Sequence, residues 1–428
     1  MGERLTPLAR GPVTALVLSG GGARGAYEVG VVSYLLEEFA EEYPRELSFD
    51  VLCGTSIGAL NVCCLAAFAD RPRDRARELI SLWREVTTKD VLTFGVFDAL
   101  KLARESLGRR PEHPSAGDGE RRMGLIDTRP LQALLLRRIP WPQIGRNLRA
   151  GRLHALSVSA THVGTGRTTV FVQTADGQLP YWSEDPNISA VPARISPRHA
   201  LASSAIPLLF RPVHIGGELF ADGGLRLNVP LHPALRLGAD RLVVISLRAQ
   251  KKELDARAAQ STLTKQDEAS LPSAAFLAGK VMNAVMQESV EHDLTRLARI
   301  NAMLEAGARA YGPRFAATIN RSLASMGHPP LRHVNTMLIR PSRALGALAA
   351  EYVATGFKPR TLASRTLRAL AEREAPDEAD LVSYLLFDPG FAEQLIDLGR
   401  RDARDRHDDW VRFWRDQPPS TWEQVHRV

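Results

Sequence analysis

The sequence predicts an α/β protein, a three-layer α/β/α sandwich with a largely parallel central sheet, followed by a helical C-terminal extension. Three observations carry this. Residues 14–67 contain two successive units of apolar run, glycine-rich turn and apolar helix pattern, which is how parallel strands with crossover helices read. Two later runs, Arg241-Leu-Val-Val-Ile-Ser246 and Val334-Asn-Thr-Met-Leu-Ile339, have the composition of further buried strands. Beyond Pro341 the apolar residues recur at helical spacing.

Taken in order, Thr14-Ala-Leu-Val-Leu-Ser19 is the first strand, Gly20-Gly-Gly22 its turn, and Val29, Val32, Leu35, Leu36 and Phe39 mark the apolar face of the first helix. Phe49-Asp-Val-Leu-Cys53 is the second strand; it runs through Gly54-Thr-Ser-Ile-Gly58 into Ala59 to Ala67, small and apolar enough for a fully buried helix. Residues 76–86 and 92–107 read as helices, and the Gly-, Pro- and charge-rich stretch 108–122 as a loop bordering the site. Strands follow at 153–159 and 167–172. A tight hairpin pairs Val213-His-Ile215 with Glu218-Leu-Phe220 across Gly216-Gly217. Residues 250–272 form a polar break, helices fill about 276–324, and a last helix rich in Arg and Asp spans about 390–415.

With 44% hydrophobic and 24% charged residues over 428 positions, the composition excludes disordered, collagenous and disulfide-scaffold classes. At about 150 residues per domain, the length means one large domain with appendages or two to three domains. Cys53, Cys63 and Cys64 cannot all pair and lack metal-ligand spacing, so a reducing, cytoplasmic setting without disulfide or metal is expected. The opening MGERLTPLAR has no apolar signal core, and the longest nearly uncharged stretch, residues 51–69, is broken by Gly54, Gly58 and Asn61, so neither secretion by a signal peptide nor a membrane span is expected. Net charge is +7, and Lys stands only at positions 89, 101, 251, 252, 265, 280 and 358, so Arg dominates the 55 cationic side chains. Arg suits an anionic lipid surface, whereas the interleaving of acids in Arg71-Pro-Arg-Asp-Arg-Ala-Arg-Glu78 argues against nucleic acid as a partner.

Chemistry concentrates at the two glycine turns. Gly54-Thr-Ser-Ile-Gly58 is G-x-S-x-G between strand and helix, the setting that lifts a serine onto a strained turn, with Gly54 and Gly58 leaving room for the neighbouring strand and helix. Gly20-Gly-Gly-Ala-Arg-Gly25 matches the dinucleotide pattern G-x-G-x-x-G, but the second strand ends in Cys53-Gly-Thr-Ser56 where a dinucleotide site needs an acid for the ribose. The alternative use of these glycines is to present backbone N–H groups to an oxyanion beside the serine. For the base, Asp222 in Phe220-Ala-Asp-Gly-Gly224 is the leading candidate, with a plain Asp-Gly turn as the other reading. His232 opens a helix after Pro230, and His154, His199 and His214 sit in strand- or helix-like settings, so all four read as structural. Cys53 reads as core and not as a rival nucleophile. Leu92, Phe94, Val96, Phe97, Leu100 and Leu102 line either an acyl pocket or ordinary core.

Together these residues resemble the patatin-like phospholipase family. The matching motifs, in the family's order, are Ser19-Gly-Gly-Gly-Ala-Arg-Gly25, Gly54-Thr-Ser-Ile-Gly-Ala-Leu-Asn61, Ala202-Ser-Ser-Ala-Ile-Pro-Leu-Leu-Phe210, and Asp222-Gly-Gly-Leu-Arg-Leu-Asn-Val-Pro230 leading into Gly238-Ala-Asp-Arg-Leu-Val-Val-Ile245. Gly224 replaces the alanine that some members carry after Asp-Gly. The resemblance covers residues 11–250 and extends weakly to 341.

The resemblance implies a metal- and cofactor-independent hydrolase of carboxylic esters in membrane glycerophospholipids, in which Ser56 is the nucleophile, Asp222 its base in a Ser-Asp dyad, and Gly20, Gly21 and Gly22 the oxyanion hole. It implies peripheral contact with a membrane. An acyltransferase using the same dyad, or a binding protein that keeps the fold without catalysis, are the alternatives. Arg24, at a helix start where the dipole disfavours a cation, meets either a lipid phosphate or a structural carboxylate. The domain reading is a tail at 1–10, a patatin-like hydrolase domain at 11–341 and the helical extension at 342–428. Asp222 is expected to be buried, because a carboxylate in water is too weak a base toward serine.

Overall fold

The computed structural model describes residues 12–43, 47–91, 93–94, 126–180, 182, 185–207, 209–250, 284, 290–359, 361–371 and 380–415. The first unit is β1 (Thr14–Leu18) followed, after a 3-10 turn at Gly22–Gly25, by α1 (Ala26–Tyr34), which runs on as a π-helical stretch to Phe39. The second is β2 (Val51–Thr55) and α2 (Ile57–Ala67). Next come α3 (Arg75–Glu85), the two-residue strands β3 (Thr93–Phe94) and β4 (Ile126–Asp127), and helices α4 (Arg129–Arg138) and α5 (Trp141–Arg149). Strands β5 (Ala155–His162), β6 (Thr168–Thr174) and β7 (Ile188–Pro192) precede α6 (Pro197–Ser203), then β8 (Val213–Ile215), β9 (Glu218–Asp222), α7 (Leu231–Arg236) and β10 (Arg241–Ile245). The chain continues with α8 (Val290–Tyr311), α9 (Phe315–Ser325), β11 (Asn335–Ile339), α10 (Leu345–Thr355), α11 (Leu362–Ala371), α12 (Asp380–Leu385), α13 (Pro389–Arg404) and α14 (His407–Trp414).

Strand order in the main sheet is β11-β10-β1-β2-β5-β6-β7, with β9 paired to β5 and β8 to β9. From β11 to β5 every pairing is parallel; β6 and β9 run antiparallel to β5. Alternation along these strands makes the two faces. Leu16, Leu18, Leu52, Val243 and Ile245 point into one core with α1, α2 and the C-terminal helices, while Ala15, Val17, Val51, Cys53 and Val244 point into the other with α7 and α8. This is the three-layer, largely parallel arrangement expected from the continuous apolar runs, and it brings the turns after β1 and β2 to the same carboxyl edge.

The helical C-terminal region is built into the core of the first layer. Gly30 of α1 and Gly399 of α13 let two helix backbones touch: a Cβ on Gly30 would lie 2.0 Å from the Ile396 carbonyl oxygen, and one on Gly399 would lie 2.2 Å from that of Tyr27. Tyr27 donates to the Asp402 carboxylate at 3.0 Å, and Trp410 is fully buried.

Two readings change, and one strand is not foreseen by the sequence. The helix expected from residue 92 does not include Thr93 and Phe94, which pair in extended conformation with Asp127 and Ile126. Its remainder, the loop at 108–122 and the side chains of Leu92 to Leu102 lie outside the described residues, as do residues 251–283 of the polar break and helical stretch. The helix expected at 390–415 is two, α13 and α14, because the chain turns at Asp405-Arg406 to bury Trp410 and to let Arg406 donate to the Leu338 carbonyl. Strand β7 has no sequence signal: it is an edge strand, and Ile188-Ser-Ala-Val-Pro192 carries no sustained apolar–polar alternation and ends in proline.

Candidate active site

Ser56 stands between β2 and α2 with φ 53° and ψ −123°, and it alone among the described non-glycine residues has positive φ. Such a conformation costs on the order of 1–3 kcal/mol and persists only where its surroundings enforce it. Here a Cβ on Gly54 would sit 2.4 Å from the Gly58 carbonyl oxygen, and one on Gly58 would sit 2.5 Å from that of Leu18, so both glycines are required by the closeness of strand and helix. The turn is pinned from three sides. Thr55 Oγ1 donates to the Leu227 carbonyl at 2.9 Å, the Ser56 N–H donates to Ser203 Oγ at 2.8 Å, and Ser203 Oγ in turn donates to the Ser159 carbonyl at 2.6 Å.

Asp222 ends β9, and the pairing of that strand with β5, itself the neighbour of β2, carries the carboxylate to the serine. Ser56 Oγ donates to Asp222 Oδ2 at 2.7 Å, and the Gly224 N–H donates to Oδ1 at 2.7 Å. Gly223 has no room for a side chain, since its Cβ would meet the Ser159 carbonyl at 2.3 Å. Asp222 is wholly buried, and burial outweighs these two hydrogen bonds and lifts its carboxyl to about 7. The four histidines stand elsewhere. His199 shares a capping box with Ser196 at the start of α6 and packs edge-on against Phe171; His232 Nε2 accepts from Arg236 at 3.2 Å; His154 opens the approach to β5; and His214 is exposed on β8. None is hydrogen-bonded to Ser56 or Asp222.

The glycine loop after β1 lies against the serine: a Cβ on Gly20 would come within 3.0 Å of Ser56 Cβ. Gly20 is nonetheless removed from the expected set of oxyanion donors. Its N–H donates to the Asn228 carbonyl at 3.1 Å, while Asn228 Nδ2 donates back to the Gly20 carbonyl, a reciprocal pair that a separation of 208 residues hides from the sequence. The N–H groups of Gly21 and Gly22 make no hydrogen bond to another described residue, and Gly22, at φ 57°, faces the same cavity as Ser56. Arg24 resolves to the structural alternative: its guanidinium meets the Asp380 carboxylate at 2.8 Å and Ser383 Oγ at 2.7 Å and lies over the Tyr384 ring.

Behind the loop lies a carboxylate that sequence reasoning passed over. Glu28 on α1 is wholly buried and accepts from the Ser19 N–H at 2.8 Å and from Asn61 Nδ2 at 2.9 Å, while Trp83 Nε1 donates to Asn61 Oδ1 at 2.9 Å. It ties the end of β1 to α2, the two elements that carry the glycine loop and the serine. Burial lifts its carboxyl from the ordinary 4.5 to about 8. In Glu28→Gln the amide must turn a donor toward Ser19 or Asn61, so a loss of about 1–3 kcal/mol of stability is expected. The raised carboxyl keeps its proton in the fold after the unfolded chain has lost its own, so its stabilisation is present at low pH and is lost as pH rises through about 8. Melting curves should therefore show a wider gap between wild type and variant at about pH 5 than at about pH 8.5, and a constant gap contradicts the assignment.

An apolar cavity opens from Ser56 between α2, α3, α4 and the C-terminal segment, with Leu60, Trp83, Leu131, Leu201, Phe210 and Phe387 in its walls. Cys53, Cys63 and Cys64 are buried and unpaired, and burial pushes the Cys53 thiol up to about 12, so none is poised as a thiolate. Among the described residues no three His, Cys, Asp or Glu side chains gather as metal ligands, and no helix is long and apolar enough to cross a membrane.

Comparison with known proteins agrees with the motif reading. The model of the family described as patatin-like phospholipase matches residues 16–235, more than half the chain. A cGAMP-activated phospholipase of Pseudomonas aeruginosa is 31% identical over 217 residues, which are 50% of this chain and 53% of the relative, so the chain spans about half the length of that protein. Among solved structures, VipD from Legionella pneumophila aligns with a TM-score of 0.35 at 16% identity, over 91% of this chain and 67% of that one. Human GIVD cytosolic phospholipase A2 in complex with methyl gamma-linolenyl fluorophosphonate aligns with a TM-score of 0.40 at 13% identity, over 97% and 60% of the two chains.

Proposed function

Because this chain belongs to the patatin-like phospholipase family, we propose that it is a phospholipase A-type acyl hydrolase that cleaves carboxylic ester bonds of membrane glycerophospholipids through an acyl-enzyme on Ser56. The observation that carries the reading is the 2.7 Å hydrogen bond from Ser56 Oγ to a wholly buried Asp222 at the mouth of an apolar cavity. Asp222 takes the hydroxyl proton as Oγ attacks the ester carbonyl, and the tetrahedral oxyanion is received by the N–H groups of Gly21 and Gly22. The alkoxide leaves with the proton held on Asp222, and water then releases the fatty acid by the same exchange in reverse. The acyl chain lies in the apolar cavity.

The lipid is met at a bilayer surface from the cytoplasmic side, and a net charge of +7 carried mostly by Arg favours an anionic one. The reading is tested by incubating the purified protein with a lipid extract and following released fatty acids and lysolipids, with fluorophosphonate labelling of Ser56 as the chemical control. Since the Pseudomonas relative is named for activation by cGAMP, the incubation is run with and without that nucleotide. No release of fatty acid under either condition, with Ser56 unlabelled, refutes the proposal.

A pH profile examines the base. Only the carboxylate form of Asp222 accepts the proton, so kcat/KM should rise with pH and level off above an inflection near 7. An inflection near about 4, the ordinary carboxylate range, contradicts a desolvated base.

A further inference from the structure

The glycine loop is gripped by residues far outside the stretch that the family model matches. Arg24 sits two residues past Gly22, and its N–H donates to the Gly21 carbonyl at 3.2 Å, so wherever its side chain is anchored the turn follows. The anchor is α12. Arg24 Nε donates to Ser383 Oγ at 2.7 Å, and one terminal nitrogen reaches both the Asp380 carboxylate, at 2.8 Å, and the Asp380 carbonyl, at 3.2 Å. Ser383 Oγ donates onward to that same carbonyl at 2.6 Å, and the Tyr384 ring lies 3.9 Å beneath the guanidinium carbon. A second grip is made by backbone alone: a Cβ on Gly22 would lie 2.2 Å from the Tyr384 carbonyl oxygen, so α12 occupies the space a side chain would need. Tyr384 and Leu385 also line the cavity that Ser56 faces.

We propose that Asp380, Ser383 and Tyr384 are positioning residues that act through Arg24 to aim the Gly21 and Gly22 N–H groups at the reacting carbonyl oxygen. The proposal rests on the hydrolase reading above. The ion pair is almost completely removed from water, with side chains 8% and 9% exposed, and a pair so placed gains little net stability over an apolar contact. What it supplies is geometry. A planar guanidinium bonded to a carboxylate, a carbonyl and a hydroxyl at once has a single position, and it fixes the turn just before it in the place where sub-ångström errors weaken an oxyanion site.

The test uses the full chain with Ser383→Ala and, as the stronger change, Asp380→Asn. Four quantities are measured on each: kcat and KM for an acyl p-nitrophenyl ester, affinity for a fatty trifluoromethyl ketone, affinity for the corresponding free fatty acid, and the melting temperature. The ketone forms a covalent bond from Ser56 Oγ to its carbonyl carbon and places an oxyanion at the glycine loop; the fatty acid fills only the cavity. We expect kcat and ketone affinity to fall together by about 10- to 100-fold, with KM and fatty-acid affinity within about twofold of wild type and both variants folded at the assay temperature. Arg24→Lys should behave like the variants, since a point cation cannot bridge Asp380 and Ser383. The proposal is overturned if kcat and ketone affinity stay at wild-type values, or if fatty-acid affinity and melting temperature fall in step with them, which marks a merely structural contact. Wild type that a fluorophosphonate fails to label overturns the hydrolase reading and the proposal together; wild type and variants labelled at equal rates overturn the positioning role alone.

Discussion

Ser56→Ala is expected to abolish hydrolysis of lipid and short acyl esters while leaving the fold in place. In the proposed mechanism the hydroxyl supplies the attacking atom, and it contributes little packing; its one hydrogen bond as donor goes to Asp222. Removing that bond leaves Asp222 with the Gly224 N–H as its remaining partner on the carboxylate, which favours the neutral acid in a site where burial already does so. Loss of one partner from a buried carboxyl costs about 1–3 kcal/mol, and protonation of Asp222 in place of an unpaired buried charge keeps the cost toward the lower end of that range. The strained turn itself is held by Thr55, Ser203 and the glycines, none of which is altered. Turnover and fluorophosphonate labelling should both vanish with the melting curve nearly unchanged. Activity near that of wild type in a folded Ser56→Ala variant excludes Ser56 as nucleophile.

Asp222→Asn is expected to lower kcat by about 10²- to 10⁴-fold, the range for removal of a general base, with a smaller change in KM. The amide is close to isosteric and its oxygen can still receive the Gly224 N–H, but it cannot hold the serine proton. The companion variants are His154→Ala, His199→Ala, His214→Ala and His232→Ala. A triad enzyme would lose activity with one of them, since imidazole would carry the proton and the carboxylate only orient it. Here none is bonded to the serine or the acid, so each should retain activity within a few-fold wherever it remains folded; His199→Ala is the variant expected to melt early, because the ring both closes a capping box and packs on Phe171. A well-folded histidine variant as inactive as Asp222→Asn would replace the dyad by a triad.

Much of this site is legible without coordinates because its requirements are local. An uninterrupted apolar run only five or six residues long that ends in glycines fits a short strand buried on both faces followed by a sharp turn, and Gly54 and Gly58 flanking Ser56 are explained by two carbonyl oxygens that a methyl group would strike. The expectation that an effective carboxylate base must be desolvated is likewise general chemistry, and Asp222 is fully buried.

What the sequence could not decide are partnerships across the chain. Ser56 and Asp222 are 166 residues apart, and their meeting depends on the order β1-β2-β5 and on β9 joining β5 antiparallel, a choice made by packing of whole layers. The two readings of Arg24 were equal in sequence because a buried cation accepts any anion; the fold chose Asp380, 356 residues away, by docking α12 on the loop. Gly20 is equivalent to Gly21 and Gly22 in sequence and is set apart only where Asn228 takes its N–H, and nothing in the sequence marks Glu28, which Asn61 of α2, itself held by Trp83 of α3, meets only in the fold. Local rules fix which backbone conformations a segment can adopt, since they arise from sterics and hydrogen bonding within a few residues. Which charge or amide a group finally meets is settled only when distant surfaces are brought together and water is excluded between them, for only then does the pairing of a polar group become obligatory.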